Sequence, residues 1–168
     1  MNAVTEVHFK QTWHRLASLT PAQAQPQFER LSQQQPALMG YLMAMENLER
    51  EDRAAEPAAG GELLFTGIVV LEAMLSAAGH PLRAATVAEV EAAEERNVQS
   101  LQNMDEGAEV GWLDGVQGLM QTYNQTVLLG CLVSALMEDA KDEPDLADES
   151  AGLHLLTLKT VVDCLDAL

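Results

Sequence analysis

Apolar positions along this chain recur every three or four residues and rarely alternate, a spacing that predicts helices from end to end. Phe9, Trp13 and Leu16 set a first helix over 5–18. Thr20-Pro21, a capping residue followed by proline at the first helical position, opens a second that runs to about Gln34. Ala24, Phe28 and Leu31 give it a narrow apolar stripe, and its glutamines, Gln35 included, read as a solvated face. Pro36 opens a third helix, ALMGYLMAMENLERED, apolar on nearly every side up to Met45 and charged beyond it.

The stretch GELLFTGIVVLEAMLSAAG (61–79) carries one ionisable group after Glu62, namely Glu72. It is too long for an ordinary strand. Glu62, Thr66, Glu72 and Ser76 interrupt it too often for a membrane span, which wants roughly 20 apolar residues in succession. It predicts a core helix, stopped by Gly79 and Pro81. Thr86-Val87-Ala88-Glu89 is a capping box that starts a fifth helix ending near Met104. A long sixth helix is expected to reach about Asp139. Its second half, VLLGCLVSALM, is apolar all round and reads as a central helix covered on every side. After the acidic stretch KDEPDLADES (141–150), Ser150 or Asp148 caps a last helix through Leu168.

These elements predict an all-α fold, a compact multi-helix bundle of about seven helices. Short connections between sequential helices favour antiparallel neighbours. One helical domain over 1–168 is expected, with the central apolar helices in 35–140 and covering helices in 1–34 and 150–168. Helices three, four and six are too apolar for a thin arrangement, so a second subunit is expected to share in covering them, as a homodimer.

Composition narrows the partners. The chain has 26 acids against 9 bases, a formal charge of -17. Such a chain repels phosphate backbones and anionic lipid surfaces, so neither nucleic acid nor membrane is an expected partner. A basic protein is. Aromatic residues are 4 % of the chain, so the core is built from Ala, Leu, Val and Met, which suits helices. Cys131 and Cys164 lie in apolar helical patterns and read as reduced thiols. The N-terminal MNAVTEVHFKQTWHR has no apolar signal region, and the expected compartment is the cytoplasm. Trp13 and Trp112 read as core or interface anchors.

A few polar residues fall on apolar faces, and these are the candidate site. On a helical wheel Glu72 sits at the shoulder of a stripe made by Leu64, Ile68, Leu71 and Leu75, and Glu46 holds the matching place beside Leu42 and Met39. Glu94 falls in the middle of a stripe formed by Val87, Val90, Val98 and Leu101, with Asn97 at its edge. His154 shares a face with Leu158, Val161 and Leu165. A buried lone carboxylate costs several kcal/mol or takes up a proton. Glu94 therefore calls for a partner, for which His154, Asn97 and Arg83 are the candidates.

Established chemistries fit this set poorly. No histidine stands three residues after a glutamate, as ferritin-like di-iron sites require. Glu46-x-x-Glu49 followed by Glu72 resembles the magnesium-binding pattern of the all-α nucleoside triphosphate pyrophosphohydrolases over three residues. The position where that family places an aspartate is Leu75 here, and bases to hold phosphates are scarce. No P-loop lysine follows Gly60-Gly61. The leading expectation is a non-catalytic, acidic interaction or regulatory protein, with helix three or four as the apolar contact surface. The alternative is a protein that binds a divalent cation or small molecule, a hydrolase included. Its ligand pocket would draw on Glu46, Glu72, Glu94, Asn97 and His154, with Glu46, Glu49, Glu72 and Glu94 as metal ligands.

Overall fold

A computed structural model describes residues 1–52, 61–105, 123–139 and 144–168, and among these every regular element is a helix. They are α1 (Glu6–Ala17), α2 (Pro21–Gln34), α3 (Pro36–Asp52), α4 (Glu62–Ala77), α5 (Val87–Asp105), α6 (Thr126–Asp139) and α7 (Pro144–Asp166). The all-α bundle expected from the spacing of apolar residues is the observed fold. Outside the described residues lie 53–60, 106–122 with Trp112 and the first half of the expected sixth helix, and 140–143.

Local chemistry sets most helix starts. Thr5 Oγ1 accepts from the His8 N–H at 3.2 Å and caps α1. Thr20 and Gln23 form a capping box before Pro21 at the start of α2. In the second box the Thr86 N–H donates to Glu89 at 2.8 Å, and the Glu89 N–H donates back to Thr86 Oγ1 at 3.3 Å. The start of α7 departs from expectation. The helix begins at Pro144, within the stretch read as an acidic loop. Proline at the first helical position gives up no hydrogen bond, and acidic residues near a helix N-terminus are favoured by the helix dipole.

The central element is α4. It packs against α1, α2, α3 and α7, and Leu63, Gly67, Val70 and Met74 line its most buried side. The wheel centres the stripe on Leu64, Ile68, Leu71 and Leu75, yet Leu64, Ile68 and Leu75 are only partly buried. A helix with apolar residues all round has no phase to read, so its neighbours set the inward side. Against α3 the approach is close: a Cβ placed on Gly67 would lie 2.5 Å from Leu42 Cδ2. The second hub is α7, which packs on α4, α5, α6 and α3. One core cluster draws side chains from all seven described helices, among them Phe9, Leu31, Leu42, Val70, Val90, Leu132 and Leu158.

Two features of α6 differ from expectation. Tyr123, Asn124 and Gln125 precede the helix in non-helical backbone, so the long sixth helix expected up to Asp139 is interrupted there. The side chains there hold other segments: Asn124 Nδ2 and Gln125 Nε2 donate to Asp166 at 2.7 and 2.8 Å, and Gln125 Oε1 accepts from the Val4 N–H at 2.9 Å. Nor is α6 covered on every side. Its main neighbours are α7 and α1, and Val127 is 48 % exposed. No described helix is long and apolar enough to cross a membrane.

Candidate functional site

Glu46 is almost fully buried near the end of α3, and its carboxylate meets the start of α4. It accepts from the Gly61 N–H through one oxygen and from the Leu64 N–H at 3.1 Å through the other. Gly61 is the capping residue of α4, with φ 108° and no side chain to offer. Glu46 supplies that missing cap from a neighbouring helix and sets a negative charge at the positive end of the helix dipole. Arg50, one turn on, lies 3.5 Å from the same carboxylate.

Glu72 is tied elsewhere. Its two oxygens take Arg15 of α1, at 2.9 Å, and Arg30 of α2. One carboxylate on the central helix thus holds two covering helices. Glu46 meets the start of α4 and Glu72 stands ten residues beyond Glu62, a separation of about 15 Å along the helix axis. The two do not share a site.

Glu94 accepts from the Tyr41 hydroxyl at 2.9 Å, joining α5 to α3. Burial, and then the Glu94 carboxylate, push the Tyr41 hydroxyl well above its ordinary range. The partner of Glu94 is therefore neither His154 nor Asn97 nor Arg83, which pairs with Glu89. The wheel also misplaces the stripe on α5. Among the described side chains of α5, Val90, Ala93 and Asn97 are the buried ones, while Glu94 stands at the edge and Val87 is 63 % exposed.

Asn97 enters a network with α7 that borders the Tyr41–Glu94 pair, because Thr160 also interacts with the Tyr41 hydroxyl. Its Nδ2 donates to Thr160 Oγ1 at 3.2 Å and its Oδ1 accepts from Lys159 Nζ at 2.7 Å. Lys159 also donates to Asp163 at 2.7 Å and lies 4.9 Å from the centre of the Tyr123 ring. Asp163 in turn accepts from the Tyr123 hydroxyl, whose ionisation is pushed up by burial and by that carboxylate. His154 is buried and pairs with Glu49 at 2.7 Å, tying α7 to α3.

Glu46, Glu72 and Glu94 thus belong to separate ties. Among the described residues no group of three or more His, Cys, Asp or Glu side chains is placed to hold a metal ion. A serine–histidine contact does arise, His8 Nε2 to Ser76 Oγ at 2.7 Å. The same nitrogen lies 3.2 Å from the Ala73 carbonyl, which can only accept, so Nε2 carries the proton. The Ser76 hydroxyl donates to its own helix, to the Glu72 carbonyl at 2.8 Å. In the tautomer protonated at Nε2 the imidazole donates to the serine and is not placed as its base.

Described residues line at least two concave surfaces. A groove of about 660 Å³ lies between α1 and α6, lined by Phe9, Trp13, Val127, Gly130, Cys131 and Ala135, with Glu6, Lys10 and His14 at its lip. Trp13 is held edge-on to Phe65 at 5.2 Å. Burial pushes the Cys131 thiol upward, so it is a poor nucleophile at neutral pH. A smaller pocket of about 240 Å³ beside Glu72 includes Arg30, Gln34, Ser76 and His80.

Sequence reasoning missed several of these polar residues. Gln35 is fully buried, and its amide donates to the Arg83 carbonyl and accepts from the Ala85 N–H, each at 2.9 Å. The sequence places it on a solvated glutamine face, and nothing in its local pattern sets it apart. The Lys159–Asp163 pair has a readable signal, an opposite-charge pair four residues apart on a helix.

The fold and its polar ties define a class, an all-helical bundle whose inward polar groups connect helices. No protein-family model matches the chain, and no curated protein or solved structure does either.

Proposed function

We propose that this chain is a non-catalytic, acidic interaction or regulatory protein that works as a homodimer and engages a basic protein partner. One observation carries the reading: the inward-facing acids are matched to groups on other helices, while large apolar side chains stay outside. The ligand-pocket alternative needs carboxylates that converge, and Glu46, Glu72 and Glu94 face three different partners.

Of the two helices expected to offer a contact surface, α4 is enclosed by four neighbours. The outer side of α3 is open. Met43 and Leu48 are 38 % and 54 % exposed, and the exposed Asn47 and Glu51 lie between them on the wheel. A flexible methionine near a leucine suits an adaptable apolar contact, and Asn47 adds hydrogen-bonding groups to it. Arg50, on the same helix, is paired with Glu46, which leaves Glu51 as the local charge between the apolar pair. That carboxylate and the acid excess of the whole chain favour a cationic ligand. The fitting partner is a basic amphipathic helix.

Titration with a synthetic Lys/Leu amphipathic peptide tests the partner. Binding is expected to weaken as salt rises, and to weaken about tenfold in the Met43→Ser/Leu48→Ser double variant. Equal binding by that variant would remove α3 as the contact surface.

A further inference from the structure

We propose that the groove between α1 and α6 is the homodimer contact, filled by the same two helices of a second copy. The inference rests on the homodimer reading above and assigns its surface.

Charge is the first ground. Two copies of a chain with formal charge -17 repel each other, so they meet best where the facing surfaces are locally neutral. The groove meets that condition. Lys10 and Glu6 at its lip pair with each other at 2.6 Å, and Val127, Gly130, Cys131, Ser134 and Ala135 on the α6 side carry no charge. By contrast, the outer side of α5 presents Glu91 and Glu95, and that of α3 sets Glu51 between its apolar pair.

Shape and size are the second. The α6 wall is built from small side chains around Gly130, which lets another helix approach closely, while Phe9 and Trp13 form an aromatic floor on the α1 side. Helices of 12 and 14 residues, about 18 and 21 Å long, lie side by side at about 10 Å spacing. Their joint face is then roughly 400 Å² in projection and larger as accessible surface, smaller than the ~800 Å² per partner of a standard interface. The dimer is therefore a reversible one.

Symmetry supplies the third. In an isologous contact the patch meets itself, and Cys131 sits in the middle of the α6 wall. The two Cys131 side chains then face each other near the twofold axis. The other cysteine, Cys164, is buried and packs in the core.

The test is sedimentation equilibrium on the full chain at about 0.05 and about 0.5 M salt. A monomer–dimer equilibrium is expected, tighter at high salt because screening reduces the repulsion. Val127→Arg and Ser134→Arg, both at exposed positions, are expected to weaken it at least about tenfold with unchanged helical circular dichroism. Ala92→Arg, which makes the same change of charge on the exposed side of α5, is expected to leave it unweakened. A dimer that survives both α6 variants overturns the surface assignment and leaves the homodimer reading standing. A monomer at every concentration and salt overturns both.

Discussion

Glu46, Glu72 and Glu94 are one chemical group in three settings, and the partner decides what each does. Glu46 faces backbone N–H groups at a helix start that has no capping side chain of its own, so replacing it exposes a helix end. Glu46→Gln keeps one acceptor oxygen but turns an amide donor toward another donor, and a loss of about 1–2 kcal/mol is expected in urea unfolding. Glu72→Gln is expected to cost less, about 0.5–1 kcal/mol, because Arg15 and Arg30 are 46 % and 38 % exposed and water screens the pairs. A larger loss from Glu72→Gln than from Glu46→Gln would reverse this ranking.

Two groups illustrate how stability depends on pH. Arg83 and the Thr86 N–H hold the Glu89 carboxyl down at about 2 against an ordinary 4.5. Its contribution is present above 4.5 and is lost as pH falls toward 2. Burial, then Asp163, push the Cys164 thiol up to about 11 from 9.0, so stability declines as pH rises from 9 toward 11. In melting curves across pH, Cys164→Ser is expected to flatten the alkaline decline and Arg83→Gln the Glu89 part of the acid one. Unchanged slopes would contradict these assignments. That Glu46, Glu72 and Glu94 are unusual is legible from helical phase. Their partners are not, because Gly61, Arg30 and Tyr41 are brought to them only by the fold.

At the scale of the element, legibility follows amphipathicity. Helices with a cap and a single apolar side, α1 and α2 above all, lie within a residue or two of their expected limits. The uniformly apolar α4 and α6 are recognisable as helices, but their inward sides are not, since periodicity carries no phase when every face is apolar. Their places compare differently with expectation: α4 is enclosed, as a core helix should be, whereas α6, expected to be covered on every side, stands at the margin. Tertiary hydrogen bonds from Asn124 and Gln125 fix the start of α6, and no local pattern announces them.

The α3–α4 contact offers a direct check of that packing. Gly67→Ala would push a methyl into Leu42, so a loss of about 1–3 kcal/mol is expected. Leu42→Ala alone opens a cavity and is expected to cost about 2–5 kcal/mol. Combined, the two should cost less than their sum, because the new methyl enters the space that Leu42 leaves. Strict additivity in urea unfolding would mean the helices do not meet there.

For the whole molecule, sequence reached the fold class and stopped short of the site. A helical bundle, a common core and an excess of acid follow from composition and spacing. Whether inward acids converge depends on how helices turn about their axes, and a rotation of one residue's step, about 100°, moves a side chain from pocket to surface. Here the rotations send Glu46 to a helix end, Glu72 to two arginines and Glu94 to a tyrosine. The interior is thereby occupied by structural ties, and the proposed recognition falls to the outer side of α3 and the α1–α6 groove. Thermal unfolding at fixed protein concentration, with and without millimolar magnesium or manganese, tests that division most directly. The expected result is a melting temperature that neither ion raises, in the wild type, Glu72→Gln and Glu94→Gln alike. A rise in the wild type that either substitution abolishes would contradict it, since only an internal carboxylate site behaves that way.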